Sequence, residues 1–272
     1  MCSIIVNTCD SYEDTWNPFF NLFKEYWTDC EYPIYLNTEI KKFSMEDMQI
    51  NVINNKVEVA WSDRLINVLH KVKTKYVILL LDDFFLNEKV DVIRIRKCIQ
   101  WMEKNNKIAS FSFAPSLWKD IDDKKYEGFE LRPIDGEYRF NLQAAIWNRK
   151  TLLKILKKGE SPWETEHMGT FRAKVLYANK LFYAAKKEGE RIITYEYGGA
   201  IHQGRWTKAT PELLKHHKIE GIDFSVRGFD PKPTEEWSRL QLECDNQTYV
   251  KKSFKIKLGE ILLAKGIIKK HQ

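Results

Sequence analysis

Two adjacent aspartates, Asp82 and Asp83, follow a run of apolar and aromatic residues that begins at Tyr76 (YVILLLDD). Two ionised carboxylates side by side repel each other and are costly to remove from water. A divalent cation would offset that repulsion, because carboxylate oxygens are the hard ligands that Mg²⁺ and Mn²⁺ prefer. A structural explanation is also open, since aspartates are common where a strand ends and one of the pair could cap the next helix.

The first 115 residues alternate between apolar runs and segments with helical periodicity. Strands are predicted at 3–10, 32–39, 76–83 and 108–115, and helices near 17–27, 61–72 and 88–104. The first helix is predicted to begin near Asn17, because proline fits only the first turn of a helix and Pro18 comes next. This alternation is typical of right-handed βαβ units in a doubly wound α/β sheet.

Ligands of doubly wound sheets bind at the carboxyl ends of the strands. Several polar side chains are predicted at those ends: Asn7, Thr8, Asp10, Asn37, Glu39, Asp82 and Asp83. The sequence therefore predicts a ligand site along this edge of the sheet.

The regular alternation of predicted strands and helices ends after residue 115. A long hairpin or loop is predicted at 116–140, a strand running into a short helix at 141–156, a loop running into a helix at 161–178, strands at 181–187 and 191–199, and a glycine-containing loop at 200–211. No linker rich in Pro, Gly or Ser separates the two halves. A single domain over 1–250 is predicted, with a nucleotide-binding half at 1–115, an acceptor half at 116–250, and a separate basic segment at 251–272.

Four segments in this order, NTCDSY, YLNTE, WSDRLINVL and LLLDDFF, resemble the glycosyltransferases of GT-A fold, and most of all the bacterial enzymes that build capsule or lipopolysaccharide glycans. The resemblance covers roughly residues 3–206. It implies a GT-A-like (Rossmann-like) mixed sheet, a nucleotide-sugar lying across the strand ends, and an acidic DxD motif after the fourth strand. The chain departs from that motif, because Phe84 stands where a second motif aspartate is expected.

The resemblance implies roles for residues of the first half. Asn7, Thr8, Asp10 and Tyr12 would line the nucleoside pocket. Glu39 resembles the acid that holds the base or ribose, and Arg64 the helix arginine that reaches the base. Asp82 and Asp83 would face the diphosphate and a Mn²⁺ or Mg²⁺ ion.

It also implies a general base at Glu164 or Glu166, since inverting enzymes of this family place an acid at a similar point to deprotonate the acceptor hydroxyl. Residues two apart do not share a helix face, so only one of them is expected to act, and Glu166 is preferred. The alternative is that both acids complement the dipole of the helix that follows.

The remaining expected contacts lie late in the chain. By the same resemblance His202 would bind the metal and Arg205 the leaving diphosphate. Gln143, Trp147 and Trp163 are the predicted acceptor contacts, although core packing is the alternative for Trp147.

Charge is distributed unevenly. The chain carries a formal charge of +6, and the segment 251–272 holds seven Lys and one Glu, so the other residues sum to zero. A neutral globule is not expected to bind nucleic acid. The segment has the pattern of a basic amphipathic helix, which favours an anionic membrane surface, but a helix docked on the domain with its lysines in solvent is equally open.

The five cysteines form no CxxC pair, and the count is odd, which indicates reduced thiols. No signal peptide and no membrane span is recognised. The expected location is cytoplasmic, or peripheral at the inner face of the membrane.

Together these features predict an inverting glycosyltransferase of hexosyltransferase type, acting on a nucleotide-sugar and a glycan or lipid-linked acceptor in cell-surface polysaccharide synthesis. One alternative is a metal-dependent nucleotidyl- or phosphotransferase, although no glycine-rich phosphate loop follows the first strand. The other is a non-catalytic, glycosyltransferase-like binding subunit.

Overall fold

The computed structural model describes residues 1–56, 58–116, 118–188, 191–196, 198–231 and 261–262. The strands are β1 (Cys2–Asn7), β2 (Ile34–Thr38), β3 (Ile50–Asn54), β4 (Tyr76–Leu81), β5 (Ile108–Pro115), β6 (Phe129–Leu131), β7 (Ala145–Asn148), β8 (Leu181–Ala185), β9 (Ile201–His202) and β10 (Arg205–Trp206). The helices are α1 (Glu13–Tyr26), α2 (Trp61–Lys71), α3 (Val92–Lys104), α4 (Arg149–Ile155), α5 (Pro162–Val175) and α6 (Thr210–His216).

Eight strands form one mixed sheet in the order β3-β2-β1-β4-β7-β5-β8-β6. Neighbouring strands β3, β2, β1 and β4 are parallel. Strand β7 is antiparallel to both β4 and β5, and β8 is parallel to β5. The prediction of a doubly wound, mixed α/β sheet is confirmed.

Strand β4 lies in the middle of this sheet, with β1 on one side and β7 on the other. Its residues alternate between two hydrophobic cores: Ile78 and Leu80 pack with α1 and α3 on one face, and Val77 and Leu79 pack with α2, α4 and α5 on the other. Burial on both faces explains why the strand is apolar at every position. It also explains why its carboxyl end is a fixed point from which Asp82 and Asp83 project.

Helix α1 begins four residues earlier than predicted, at Glu13, after a 3-10 turn at Asp10–Tyr12. Pro18 therefore lies inside the helix and is buried. Proline removes one backbone hydrogen bond from a helix interior. The aromatic face of the helix, where Phe19 and Phe23 are fully buried, compensates for that loss.

Two further segments differ from the predictions. Residues 191–199 form no extended strand; in the part that the structure describes, Tyr195 makes a single antiparallel bridge with Leu86. Strand β3 was not predicted, because it is half-exposed and carries asparagines rather than alternating apolar residues. Within the predicted loop 200–211, the two-residue strands β9 and β10 form a tight hairpin, whose turn at Gln203 and Gly204 has positive φ at both positions.

The basic segment 251–272 lies outside the described residues except for 261–262. Among the residues that the structure does describe, no helix is both long and apolar enough to cross a membrane.

Candidate functional site

A cleft of about 450 Å³ opens at the carboxyl ends of β1 and β4. It is walled by the segments that follow these two strands, by α2, by the start of α5 and by the β9–β10 hairpin. The predicted site residues that line it are Asn7, Thr8, Tyr12, Arg64, Asp82, Asp83, Gln143, Trp163, Glu166 and His202. The structure thus brings together residues from six separate parts of the chain at the predicted edge of the sheet.

Asp82 is fixed within the protein. Its Oδ2 accepts hydrogen bonds from the hydroxyls of Thr8 at 2.5 Å and Thr15 at 2.8 Å, and the residue is only 5% exposed. Burial raises the pKa of Asp82 to about 6, against the lowering effect of these two hydroxyls. The indole of Trp16 in turn donates to the Thr8 hydroxyl at 2.8 Å, which anchors the group to α1.

Asp83 is held differently. Among the described residues, no other residue donates a hydrogen bond to its carboxylate, which accepts from the backbone N–H of Asp83 itself. Burial and the neighbouring charge of Asp82 raise the pKa of Asp83 well above its ordinary value. The backbone carbonyl of Asp83 accepts from the N–H of Ala200 at 2.7 Å, so the chain after Gly199 is fastened directly to the acidic pair.

The two candidate bases have different environments. Glu164 belongs to a capping box with Ser161 at the start of α5, and these hydrogen bonds lower its pKa. Glu164 does not line the cleft. Glu166 does, and its Oε1 accepts the backbone N–H of Leu142 at 2.8 Å. Burial raises the pKa of Glu166, which suits a group that must take up a proton near neutral pH.

Some of the predicted nucleoside contacts line the cleft, and others hold neighbouring parts of the chain in place. The buried Arg64 lines the cleft and is tied to the Glu39 carboxylate at 2.5 Å and to the Thr8 carbonyl at 3.0 Å. Glu39 also accepts the backbone N–H of Asp10 at 3.0 Å. The Asp10 carboxylate accepts backbone N–H groups of residues 39, 40 and 41, so it closes this loop and does not line the cleft.

The late histidine is oriented by an acid that the sequence analysis did not single out. Nδ1 of His202 donates to Oδ2 of Asp230 at 2.5 Å, and Asp230 is only 7% exposed. A proton on Nδ1 leaves the lone pair on Nε2, the form in which a histidine binds a metal, and metal-binding histidines are commonly oriented in this way by a carboxylate.

The prediction that Arg205 holds the leaving diphosphate is not supported, because Arg205 is exposed on β10 and does not line the cleft. The alternation of a strand turns its neighbour Trp206 into the core and Arg205 outward. A second arginine near the acids, besides Arg64, is Arg227, which binds both carboxylate oxygens of Asp14 at 2.5 and 2.6 Å and lies 4.4 Å from the ring centre of Tyr12. Burial and the charges of Asp83 and Asp82 raise the pKa of Tyr12 to about 12.

The three predicted acceptor contacts lie in different environments. Trp163 is 70% exposed at the rim of the cleft, and Gln143 lines its wall. Trp147 is 2% exposed and packs against Phe140 and Phe182 in the hydrophobic core, so it cannot contact a ligand in the cleft. Its strand, β7, lies inside the sheet, where both faces are covered.

The predicted metal set of Asp82, Asp83 and His202 is not assembled as a cluster, because no three His, Cys, Asp or Glu side chains of the described part of the chain are grouped as metal ligands. Asp82 is already engaged by Thr8 and Thr15, and His202 is held at Nδ1 by Asp230. Of the two carboxylates, Asp83 fits a hard cation, because it lies in the cleft beside a second acid. An ion there would complete its ligand set with water and phosphate oxygens, as Mg²⁺ usually does.

Phe84, at the position of the second motif acid, is 3% exposed and stacks on Tyr195 with ring centres 4.3 Å apart. The phenylalanine that departs from the DxD motif therefore contributes to packing.

The sequence matches no protein-family model and no curated protein. The chain is similar in structure to TarS of S. aureus in complex with UDP, with a TM-score of 0.48 and 12% identity over 69% of this chain. The match spans 58% of that TarS chain, so this chain corresponds to little more than half of it.

Two other solved structures are similar over larger shares of their own length. A cytidylyltransferase from Leptospira borgpetersenii has a TM-score of 0.46 and 11% identity, covering 92% of this chain and 99% of that chain. Glucosyl-3-phosphoglycerate synthase from Mycobacterium tuberculosis, in complex with Mn²⁺, UDP and phosphoglyceric acid, has a TM-score of 0.40 and 8% identity, covering 70% and 72%. These are likenesses of architecture and assign no activity to this chain.

Proposed function

We propose that this chain is an inverting glycosyltransferase, which moves a sugar from a nucleotide-sugar to a hydroxyl group of a glycan or lipid-linked acceptor in cell-surface polysaccharide synthesis. The observation that carries the proposal is that one cleft contains both acids the reaction needs. Asp83, whose carboxylate accepts a hydrogen bond from no other described residue, suits a metal-bound diphosphate, and Glu166, with its raised pKa, suits a base.

Glu166 has the properties of the proton acceptor. Its Oε1 is held by the N–H of Leu142, which fixes the carboxylate at the wall of the cleft. The acceptor hydroxyl gives its proton to this carboxylate while its oxygen forms a bond to the anomeric carbon of the sugar. The bond from that carbon to the diphosphate oxygen breaks, and the electron pair leaves with the nucleoside diphosphate.

The acidic pair would serve the other side of the reaction. Asp83 would hold a Mg²⁺ or Mn²⁺ ion, with His202 close by on the cleft wall. A bound divalent ion neutralises the charge that develops on a leaving diphosphate. The carboxylate of Asp82, next to Asp83 in the chain, is kept in place by the hydroxyls of Thr8 and Thr15.

Arg64, Tyr12 and Asn7 would surround the nucleoside. Arg64 is positioned by Glu39, which explains the acid after β2 as a support for the arginine rather than as a direct contact. Trp163 on the rim offers an aromatic face for the acceptor sugar.

Product analysis tests this proposal. The chain is incubated with Mn²⁺ and UDP-, GDP-, CMP- and dTDP-sugars, and the nucleotide and phosphate products are identified. Slow release of the nucleoside diphosphate, or of CMP from the CMP-sugar, supports transfer of the sugar to water in place of the acceptor. Glu166→Gln should abolish this release, and Glu164→Gln should not. In a parallel incubation with nucleoside triphosphates and Mn²⁺, release of pyrophosphate would instead indicate a nucleotidyltransferase. Binding without turnover in any of these reactions would favour the non-catalytic binding subunit.

Peripheral membrane binding through 251–272 remains a prediction, because that segment lies outside the described residues apart from 261–262. Sedimentation with vesicles that contain anionic lipid tests it. The full chain should co-sediment at low salt and be released at high salt, since the attraction of lysines to an anionic surface is screened.

A further inference from the structure

The side chain of Gln143 has a fixed orientation on the cleft wall. The backbone N–H of Ala144 donates to the hydroxyl oxygen of Tyr195 at 3.2 Å, and that hydroxyl donates to Oε1 of Gln143 at 2.8 Å. The tyrosine oxygen thus accepts from the backbone N–H of Ala144, and the hydroxyl hydrogen is donated to the side-chain oxygen of Gln143. The amide of Gln143 is thereby oriented with its oxygen toward Tyr195 and its Nε2 away from it.

Nε2 of Gln143 carries two donor hydrogens. No described residue accepts a hydrogen bond from this nitrogen, and Gln143 is partly exposed to the cleft that it lines. The fixed orientation presents the Nε2 donor of Gln143 to a ligand in the cleft.

Glu166 lies beside this donor. The backbone N–H that holds its carboxylate belongs to Leu142, the residue immediately before Gln143. The same short segment of chain therefore presents an acceptor, the Glu166 carboxylate, and a donor, the Gln143 amide, on one wall.

Tyr195 is itself anchored to the acidic pair. Its ring stacks on Phe84, the neighbour of Asp83, with the ring planes 11° apart. Its backbone pairs with Leu86, and the N–H of Asn87 donates to the carbonyl of Thr194 at 3.1 Å. The position of the Tyr195 hydroxyl is thus set by the segment that follows β4.

We propose that Tyr195 is a positioning residue and Gln143 a specificity-determining residue, and that together with Glu166 they select an acceptor carrying a vicinal diol, that is, a sugar ring. This inference rests on the proposed function and names its acceptor chemistry. One hydroxyl donates to the Glu166 carboxylate, and the oxygen of the neighbouring hydroxyl accepts from Nε2 of Gln143. A monohydric alcohol can satisfy only one of the two groups, so the other would stay without a partner.

Nuclear magnetic resonance of the side-chain amide tests the inference directly. The full chain is labelled with ¹⁵N, and the Gln143 amide signals are assigned by their loss in Gln143→Glu. Methyl β-D-glucopyranoside, which carries vicinal hydroxyls, is titrated in the presence of UDP and Mn²⁺. Cyclohexanol, a ring with one hydroxyl, is the matched control ligand.

The expected result is that the glucoside shifts the Gln143 signals in a saturable manner and cyclohexanol does not. Tyr195→Phe keeps the ring that stacks on Phe84 and removes only the hydroxyl. It should weaken the apparent affinity for the glucoside about threefold to tenfold, the usual effect of losing or misdirecting one neutral hydrogen bond. Binding of UDP should be unchanged in this variant, because Tyr195 does not line the cleft where the nucleotide would lie.

Three results would overturn the inference: no shift of the Gln143 amide up to the solubility limit of the glucoside, an equal shift with cyclohexanol, or an unaltered glucoside affinity in Tyr195→Phe. Should Tyr195→Phe fail to fold, Gln143→Glu serves instead. Its carboxylate can accept from Tyr195 but has no donor for the ligand, and its weakened glucoside affinity is read from the indole signal of Trp163. Failure of the proposed function is distinguishable, because it appears as absence of any response to UDP, GDP, CMP and dTDP, each tested before the glucoside; the titration then uses the nucleotide that binds.

Discussion

A methyl group at Gly199 would lie 2.5 Å from Oδ2 of Asp83. Real side chains do not approach this closely, and Gly199 also has a φ of +81°, which side chains with a β-carbon rarely adopt. The backbone of this loop therefore covers the Asp83 carboxylate in a way that only glycine allows. The loop carrying His202 is built against the acidic pair.

Gly199→Ala is expected to disturb the acidic pair and to destabilise the fold. The positive φ alone costs about 1–2 kcal/mol for a residue with a β-carbon, and the clash with Asp83 adds to it. Chemical denaturation measures the loss. Gly198→Ala is the matched control, because its φ is +86° but nothing lies within 4 Å of the added carbon. Equal effects of the two variants would contradict a close packing of Gly199 on Asp83.

Glu166→Gln should lower turnover by about 10²- to 10⁴-fold, the usual contribution of a general base. Glutamine has nearly the same shape and its Oε1 can still accept the N–H of Leu142, so binding of the nucleotide should persist. Glu164→Gln should leave turnover within a small factor of the wild type, since Glu164 caps α5 outside the cleft. Steady-state release of the nucleotide product is the measurement. A larger loss in Glu164→Gln than in Glu166→Gln would reverse the assignment.

The rate should also depend on the protonation of Glu166. A base acts only when it is deprotonated, and burial raises the pKa of Glu166 above the ordinary 4.5. The acidic limb of the pH–rate profile should therefore lie above pH 4.5. An acidic limb at or below that pH would show that the carboxylate which controls the rate is not a buried one.

The same raised pKa predicts how stability varies with pH. Between the ordinary pKa of a glutamate and the raised value in the folded chain, the folded state keeps a proton that the unfolded state has lost, so Glu166 lowers stability as pH rises through this window. Glu166→Gln removes the effect. Its melting temperature should equal that of the wild type near pH 4 and exceed it near pH 7. Thermal denaturation of both proteins at the two pH values is the check. A melting temperature of Glu166→Gln that falls further below that of the wild type toward pH 7 would contradict the burial of this charge.

Arg227→Ala should destabilise the fold by about 1–3 kcal/mol, the range for hydrogen bonds to charged groups that are partly buried. It removes the double contact with Asp14 and the cation above Tyr12. Arg205→Ala, an exposed arginine on the adjacent hairpin, should change stability by no more than about 0.5 kcal/mol. Urea denaturation compares the two variants. Equal, small effects would show that the Arg227 contacts do not hold the segment after α6 to α1.

The sheet could be predicted where burial shapes the sequence. Strand β4 is apolar at every position because helices cover both of its faces, and β1 and β5, also largely buried, are mostly apolar. Strand β3 could not be predicted, since a half-exposed strand with asparagines has no distinctive pattern. Helix α1 begins earlier than predicted, because its buried aromatic face outweighs the backbone hydrogen bond that Pro18 removes.

The site was predictable in part. The acidic pair follows from its place at the end of β4, which the topology fixes, whereas the expectation for Arg64 came from the family resemblance of its helix. The role of Glu164 could have been found from the sequence, because Ser161 followed three residues later by Glu164 is the pattern of a capping box. The roles of three residues could not be predicted from the sequence: Arg227, Asp230 and Tyr195. Each acts on the site through contacts between distant parts of the chain, which leave no local sequence pattern.

The most direct test of the central proposal, a nucleotide-sugar site at Asp83, is a thermal-shift measurement. UDP-, GDP-, CMP- and dTDP-sugars are each added with and without Mn²⁺ to the wild type and to Asp83→Asn, which keeps the size of the side chain and removes its charge. A ligand at a hundredfold excess over its dissociation constant stabilises the folded state by about 2.7 kcal/mol. We expect one nucleotide to raise the melting temperature only with Mn²⁺, and Asp83→Asn to abolish the shift. The absence of a shift with every nucleotide, or an equal shift in Asp83→Asn, would contradict the proposed site.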